Sequence, residues 1–178
     1  MLEEIVFAGF GGQGVLSMGQ IIAYSGMIEN REVCWMPSYG PEMRGGTANC
    51  IVSLSDEPIS SPILAMFDTV VALNQPSFEK FEPEVKPGGV LIYDATNIKI
   101  KSSRTDIDVL AIPGSEKANE LGNPRMMGMI LLGAYLAKKP VLKTETILKA
   151  LKKVLPERYH HMIPLNQKAL ETGASFVN

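Results

Sequence analysis

Gly9, Gly11 and Gly14 stand in G-x-G-x-x-G spacing within Ala8-Gly9-Phe10-Gly11-Gly12-Gln13-Gly14-Val15. The apolar run Ile5-Val6-Phe7-Ala8 precedes them and a helical pattern follows. In a strand–turn–helix context this spacing does specific work. Glycine permits positive φ and close backbone approach, and the unpaired N–H groups of a helix start face an anion. The same residues could shape only a tight turn, but two adjacent glycines with a third soon after favour an anion-facing loop.

A second cluster lies about thirty residues on, in Ser38-Tyr39-Gly40-Pro41-Glu42-Met43-Arg44-Gly45-Gly46-Thr47. Pro41 and the three glycines demand an irregular loop. Arg44 beside Gly45-Gly46 sets a cation on a backbone that a ligand can approach. Read alone, this is a surface loop with a solvated arginine. At the carboxyl edge of a sheet, next to the glycine turn, it would complete a phosphate site.

Other chemistries lack their residues. A dinucleotide-binding fold places Asp or Glu at the end of the second strand, where this chain has Pro37-Ser38-Tyr39-Gly40; Glu32 is at that strand's start. NAD is therefore disfavoured. Cys34 and Cys50 are the two cysteines, too few for a four-cysteine iron–sulfur cluster, and they read as reduced and buried in a cytoplasmic protein. His160 and His161 are adjacent and would diverge around a helix, so no zinc or other metal site is expected. A net charge of −2 argues against nucleic acid or an anionic membrane. The apolar stretch 126–137 is too short to span a bilayer, and Glu3-Glu4 is wrong for a secretory signal.

The elements that must position these residues follow from pattern. The 178 residues suit a single domain, 1–178. Strands are expected at Ile5–Ala8, Glu32–Met36, Thr47–Leu54, Asp68–Leu73, Val90–Tyr93 and Asp108–Ile112. The second and third are too close for a crossover helix and should pair antiparallel. Helices are expected at about 12–28, at Ser77–Phe81, at Ser115–Leu121 with a Ser115 cap, and at Pro124–Ala137. A further helix is capped by Thr144, and another runs from Pro156 to about Thr172 and stops at Gly173. Lys86-Pro87-Gly88-Gly89 should end a segment, and residues 97–104 form a surface excursion. The all-round apolar helix at 124–137 is either buried core or an interface. The fold class is α/β: a Rossmann-like, mostly parallel sheet flanked by helices, with a helical C-terminal segment.

The two loops together closely resemble the gamma subunit of the 2-oxoacid:ferredoxin (acceptor) oxidoreductases, the pyruvate, 2-oxoglutarate, 2-oxoisovalerate and indolepyruvate enzymes. The resemblance runs through the Asn123-Pro124 helix start and the 166–173 tail. It implies a cytoplasmic, noncatalytic subunit of an enzyme that decarboxylates a 2-oxoacid oxidatively to acyl-coenzyme A. Thiamine diphosphate, Mg and the iron–sulfur clusters would belong to alpha, beta and ferredoxin-like delta partners, with ferredoxin served through the complex. Coenzyme A would be faced by Gly9, Gly11, Gly12, Gln13 and Gly14 on one wall and by Arg44, Gly45, Gly46 and Thr47 on the other. No residue of this chain is assigned as catalytic. Two other readings stay open: a purely architectural subunit without ligand contact, and a nucleotide-dependent dehydrogenase. An apolar interface would also make the isolated chain prone to self-association. The 2-oxoacid itself is not encoded here, with a lean toward 2-oxoglutarate or a branched-chain substrate.

Overall fold

The computed structural model describes residues 1–39 and 47–177, with backbone only at Tyr39. In chain order the elements are β1 (Leu2–Phe10), α1 (Val15–Ile28), β2 (Glu32–Tyr39), β3 (Thr47–Ser55), β4 (Phe67–Ala72) and α2 (Gln75–Phe81). Then come β5 (Val85–Asp94), β6 (Asp108–Ile112), α3 (Gly114–Glu120), α4 (Met127–Lys138), α5 (Thr144–Val154) and α6 (Ile163–Ala174). Short 3₁₀ turns at Glu82–Glu84, Pro124–Met126 and Glu157–Met162 join some of them.

The described strands form one sheet in the order β2-β3-β1-β4-β5-β6. β1, β4, β5 and β6 run parallel. β3 is antiparallel to both β1 and β2, as the short connection before it requires. The sheet is thus mostly parallel and α/β. Pro37 is tolerated because β2 is an edge strand.

Alternation along β1 divides the core. Ile5 and Phe7 face a layer built from α1, α3, α4, α5 and α6. Val6 and Ala8 face the other side, where Phe78 and Phe81 of α2 pack with Phe67, Leu91 and Tyr93. Every residue of α4 from Met127 to Leu136 is buried, so the apolar helix is core within this chain. α6 crosses it at backbone contact. A Cβ on Gly133 would lie 2.0 Å from the Leu170 carbonyl oxygen, and one on Gly173 only 1.7 Å from that of Ile130. Gly173 therefore does not stop a helix; it lies inside α6, where only glycine fits.

Three other expectations are corrected. Ser115 is inside α3 and does not cap it. Thr144 makes no cap bond; α5 is preceded by Lys143, whose backbone N–H donates to Glu29 Oε1 at 2.8 Å. The 86–89 segment does not end an element but is carried within β5. Gly88 takes φ +79° there and donates to the Asp106 carbonyl at 2.7 Å, which lets the strand continue.

The amino edge of the sheet is tied by ion pairs on both sides. Glu3, buried, accepts from Lys139 Nζ at 3.0 Å and from Thr69 Oγ1 at 2.7 Å. Glu4 and Asp68 both accept from Lys86. Tyr135 lies over Glu3; its burial, and then the nearby carboxylate, hold the phenol protonated well above the usual range.

Candidate functional site

The parallel register brings the carboxyl ends of β1, β4, β5 and β6 to one edge. Because β3 is reversed, its first residue, Thr47, pairs with Phe10 at that same edge, and Tyr39 at the end of β2 pairs with Ala48. The described residues on either side of 40–46 thus lie at this edge, beside the glycine turn. Of the second predicted wall, exposed Thr47 is placed at this edge, whereas Arg44, Gly45 and Gly46 lie outside the described residues.

The glycine turn is built as its spacing predicts, but each glycine has its own reason. Gly12 and Gly14 adopt φ +90° and +82°, which glycine alone takes without strain. Gly9 is held by space: a Cβ would stand 2.6 Å from Gln13 Oε1 and 2.9 Å from Leu73 Cβ. Gly11 is exposed at the turn. Gln13 does not project outward. Its Oε1 accepts from the Phe10 N–H at 2.6 Å, and its Nε2 reaches toward the Leu73 carbonyl at 3.5 Å. It braces the turn against β4.

α1 starts one residue later than the turn's last glycine. Its first internal bond is Met18 N–H to Gly14 O at 3.0 Å, so the N–H groups of Val15, Leu16 and Ser17 precede the hydrogen-bonded ladder. No side chain caps them and no acid occupies the first turn. A bare, positive helix end after an exposed glycine turn is a ready anion site. Beneath it, Cys50 Sγ donates to the Val15 carbonyl at 3.3 Å, and burial pushes the thiol up to about 12. Cys50 is buried as expected; Cys34, by contrast, is only half-buried, and both are free.

The neighbouring strand ends carry polar residues with structural duties. Asp94, fully buried at the end of β5, accepts from Ser115 Oγ at 2.6 Å, Asn97 Nδ2 at 2.9 Å, Ser115 N–H at 3.1 Å and Thr96 N–H at 3.2 Å. It ties the β5 loop to the start of α3. A strand-terminal Asp94 with Thr96-Asn97 two residues on, and Ser115 after Pro113-Gly114, is the available sequence signal. Asn74 caps α2 through Oδ1, which accepts from the Ser77 N–H at 2.9 Å. Its Nδ2 is buried without a partner among the described residues.

The features of other chemistries stay apart. Glu32 is at the opposite edge from the glycine turn. His160 contacts the Leu155 carbonyl at 2.9 Å in a 3₁₀ turn. Among the described residues no group of three or more His, Cys, Asp or Glu is placed to hold a metal ion, and no helix is long and apolar enough to cross a membrane.

The fold is a Rossmann-like α/β domain whose glycine turn and uncapped α1 start lie at the carboxyl edge of the parallel strands. A family model for pyruvate ferredoxin/flavodoxin oxidoreductase matches residues 4–176, and the chain belongs to that family. It is 37% identical to ketoisovalerate oxidoreductase subunit VorA of Methanothermobacter thermautotrophicus, over 97% of this chain but 36% of VorA. It is similar to the crystal structure of the gamma subunit of a keto/oxoacid ferredoxin oxidoreductase from Geobacter sulfurreducens, with TM-score 0.82, 29% identity and 98% of each chain covered. It also resembles 2-oxoglutarate:ferredoxin oxidoreductase from Magnetococcus marinus, solved with 2-oxoglutarate, coenzyme A and succinyl-CoA. There the TM-score is 0.89 at 25% identity, over 99% of this chain and 31% of the other. The chain thus spans about a third of the length of two of these proteins and nearly the whole of the other.

Proposed function

We propose that this chain, as one domain over 1–178, is the gamma-type subunit of a 2-oxoacid:ferredoxin (acceptor) oxidoreductase. Its complex oxidises a 2-oxoacid to the acyl-coenzyme A thioester in the cytoplasm, a reducing setting that suits free Cys34 and Cys50. The observation that carries this reading is the family match over nearly all of the chain, joined to an uncapped α1 start at the carboxyl edge.

Within the complex, this chain's part is to bind and orient. Coenzyme A carries a diphosphate and a 3′-phosphate, which match N–H donors and a cation. Gly11, Gly12 and Gly14, exposed at the turn, let phosphate approach the backbone, while buried Gly9 lets the turn pack against Gln13 and Leu73; the N–H groups of Val15, Leu16 and Ser17 stabilise the charge. Gln13 holds the turn in register and is a positioning residue. Arg44, Gly45, Gly46 and Thr47 form the second wall, with Arg44 supplying charge-assisted bonds. The two cysteines are too few for a four-cysteine iron–sulfur cluster, and among the described residues no group of three or more His, Cys, Asp or Glu is placed to hold a metal ion. Thiamine diphosphate with Mg and the iron–sulfur clusters belong to alpha and beta partners and a ferredoxin-like delta part, and ferredoxin receives the electrons through the assembled complex.

The test is purification of the tagged chain from its native cells, followed by a coenzyme A-dependent reductase assay over a panel of 2-oxoacids. Co-purifying subunits with activity on a 2-oxoacid support the reading and name the substrate. A chain that purifies alone, without activity, overturns it. Arg44→Ala in the active complex should raise the KM for coenzyme A roughly tenfold, the worth of a hydrogen bond to a charged group. An unchanged KM removes Arg44 from the site.

A further inference from the structure

The two sides of the sheet are unequally covered. Five helices pack on the side of Ile5 and Phe7, whereas α2 packs on the other, over β4 and β5. Residues paired across antiparallel strands share a face. Val6 pairs with Ile51 and Ile51 with Met36, so these three lie on the α2 side. Phe10 and Thr47 follow on the same face by alternation, and so do Ser38 and Asn49. No helix of the described residues covers this β2–β3 half. Met36 and Phe10 are each 37% exposed, and Ile51 is half-buried. On the same side runs the β3–β4 connection, where Leu64 packs on the α2-side core and its neighbour Ile63 is 81% exposed.

We infer that this uncovered face of β2 and β3 is the docking surface for the polypeptide that, in fused relatives, occupies the remaining two-thirds of the chain. The inference rests on the subunit reading above. Its support is that the same domain forms 36% of VorA and 31% of the Magnetococcus chain, yet nearly all of the Geobacter subunit. A domain that exists both attached and detached must present a surface for the part it has been separated from. Here the bare face combines an apolar centre, Met36, Ile51 and Phe10, with polar Ser38, Asn49 and Thr47, the composition of an interface. Phe10 belongs to the glycine turn and Thr47 opens β3 beside it, so a partner seated here borders the proposed coenzyme A site. The occupant is the polypeptide joined to this domain in those relatives, and a second copy of this chain is the alternative that the experiment separates.

The experiment compares full-length tagged chains purified from the native host. The double variant Met36→Lys/Ile63→Lys charges the face, while Met27→Lys charges the exposed outer side of α1, in the opposite layer. The expected result is a loss of co-purifying partner of roughly tenfold or more for the double variant, and wild-type recovery for Met27→Lys. Hydrogen exchange on the wild-type complex gives a reading that does not depend on variant folding: amides of the edge strand β2 should be more protected in the complex than in the free chain. Full recovery of partner with the double variant, or unchanged β2 exchange, overturns the inference. So does a free wild-type dimer that the double variant converts to monomer without loss of partner. If the wild-type chain itself brings down no partner, it is the subunit reading that fails.

Discussion

Gln13 returns its side-chain oxygen to the Phe10 N–H at 2.6 Å, closing the glycine turn on itself. Its role can be separated from ligand binding. Gln13→Ala removes the brace and should lower stability by about 1 kcal/mol, a melting shift of roughly 2–4 °C. Gln13→Glu can keep the Phe10 bond but sets a negative charge beside the α1 start. It loses the contact to the Leu73 carbonyl, so it should melt between Gln13→Ala and wild type, and it should weaken coenzyme A binding in the complex. Differential scanning fluorimetry with coenzyme A titration checks both; equal coenzyme A affinity in wild type and Gln13→Glu would refute the anion site.

The crossing of α4 and α6 makes the sharpest stability test. Gly173→Ala places a carbon 1.7 Å from a backbone oxygen, which no rotamer can relieve. The helices must part, at an expected cost of about 3 kcal/mol or more. Urea denaturation of the purified chain measures it, and a cost near zero would contradict the crossing.

Lys139→Met leaves Glu3 buried without its cation, and should cost about 3 kcal/mol. Adding Glu3→Gln removes the stranded charge, so the double variant should regain much of that loss. A double-mutant cycle by urea titration reads the coupling; additive effects would show that the pair is not coupled.

Cys50 links stability to alkaline pH. Its thiol is pushed from 9.0 in the open chain to about 12 by burial, so the folded state retains a proton that the unfolded state gives up. The contribution is fully present below about pH 9 and is lost progressively as pH rises toward 12, at up to about 1.4 kcal/mol per unit. Cys50→Ala should flatten that slope in denaturation curves at pH 9–11. In the native chain at pH 8.5, iodoacetamide should leave Cys50 unmodified and label it only after unfolding.

How far the sequence discloses this molecule varies by element. β6 is found at Asp108–Ile112, as its apolar run predicts, and the antiparallel β2–β3 pair follows from a connection too short for a helix. The glycine turn is legible because spacing and a φ demand coincide at Gly14, while the positive φ of Gly12 falls on a glycine outside the G-x-G-x-x-G spacing. What fails depends on partners distant in sequence. Gly173 looks like a helix stop until Ile130 is known to lie against it. Ser115 looks like a cap until Asp94, twenty-one residues earlier, claims its hydroxyl. Lys86 to Gly89 reads as punctuation until the Asp106 carbonyl accepts from Gly88. Gln13 carries a useful motif letter but not its duty, which depends on Leu73 across the sheet. Of the proposed site, the turn and Thr47 are placed, while Arg44, Gly45 and Gly46 fall outside the described residues.

The reversed direction of β3 separates two things that a fully parallel sheet would couple. In a βαβ unit the connection between neighbouring strands must carry a crossover, usually a helix packed on the sheet. Here the strands flanking residues 40–46 end at Tyr39 and resume at Thr47, both at the carboxyl edge of β1 and in register with Ala48 and Phe10. An insertion or deletion between them should leave the β1–β3 and β2–β3 registers unchanged. On the coenzyme A reading proposed above, the fold thus leaves one stretch of chain in which ligand preference can diversify without the architecture being renegotiated.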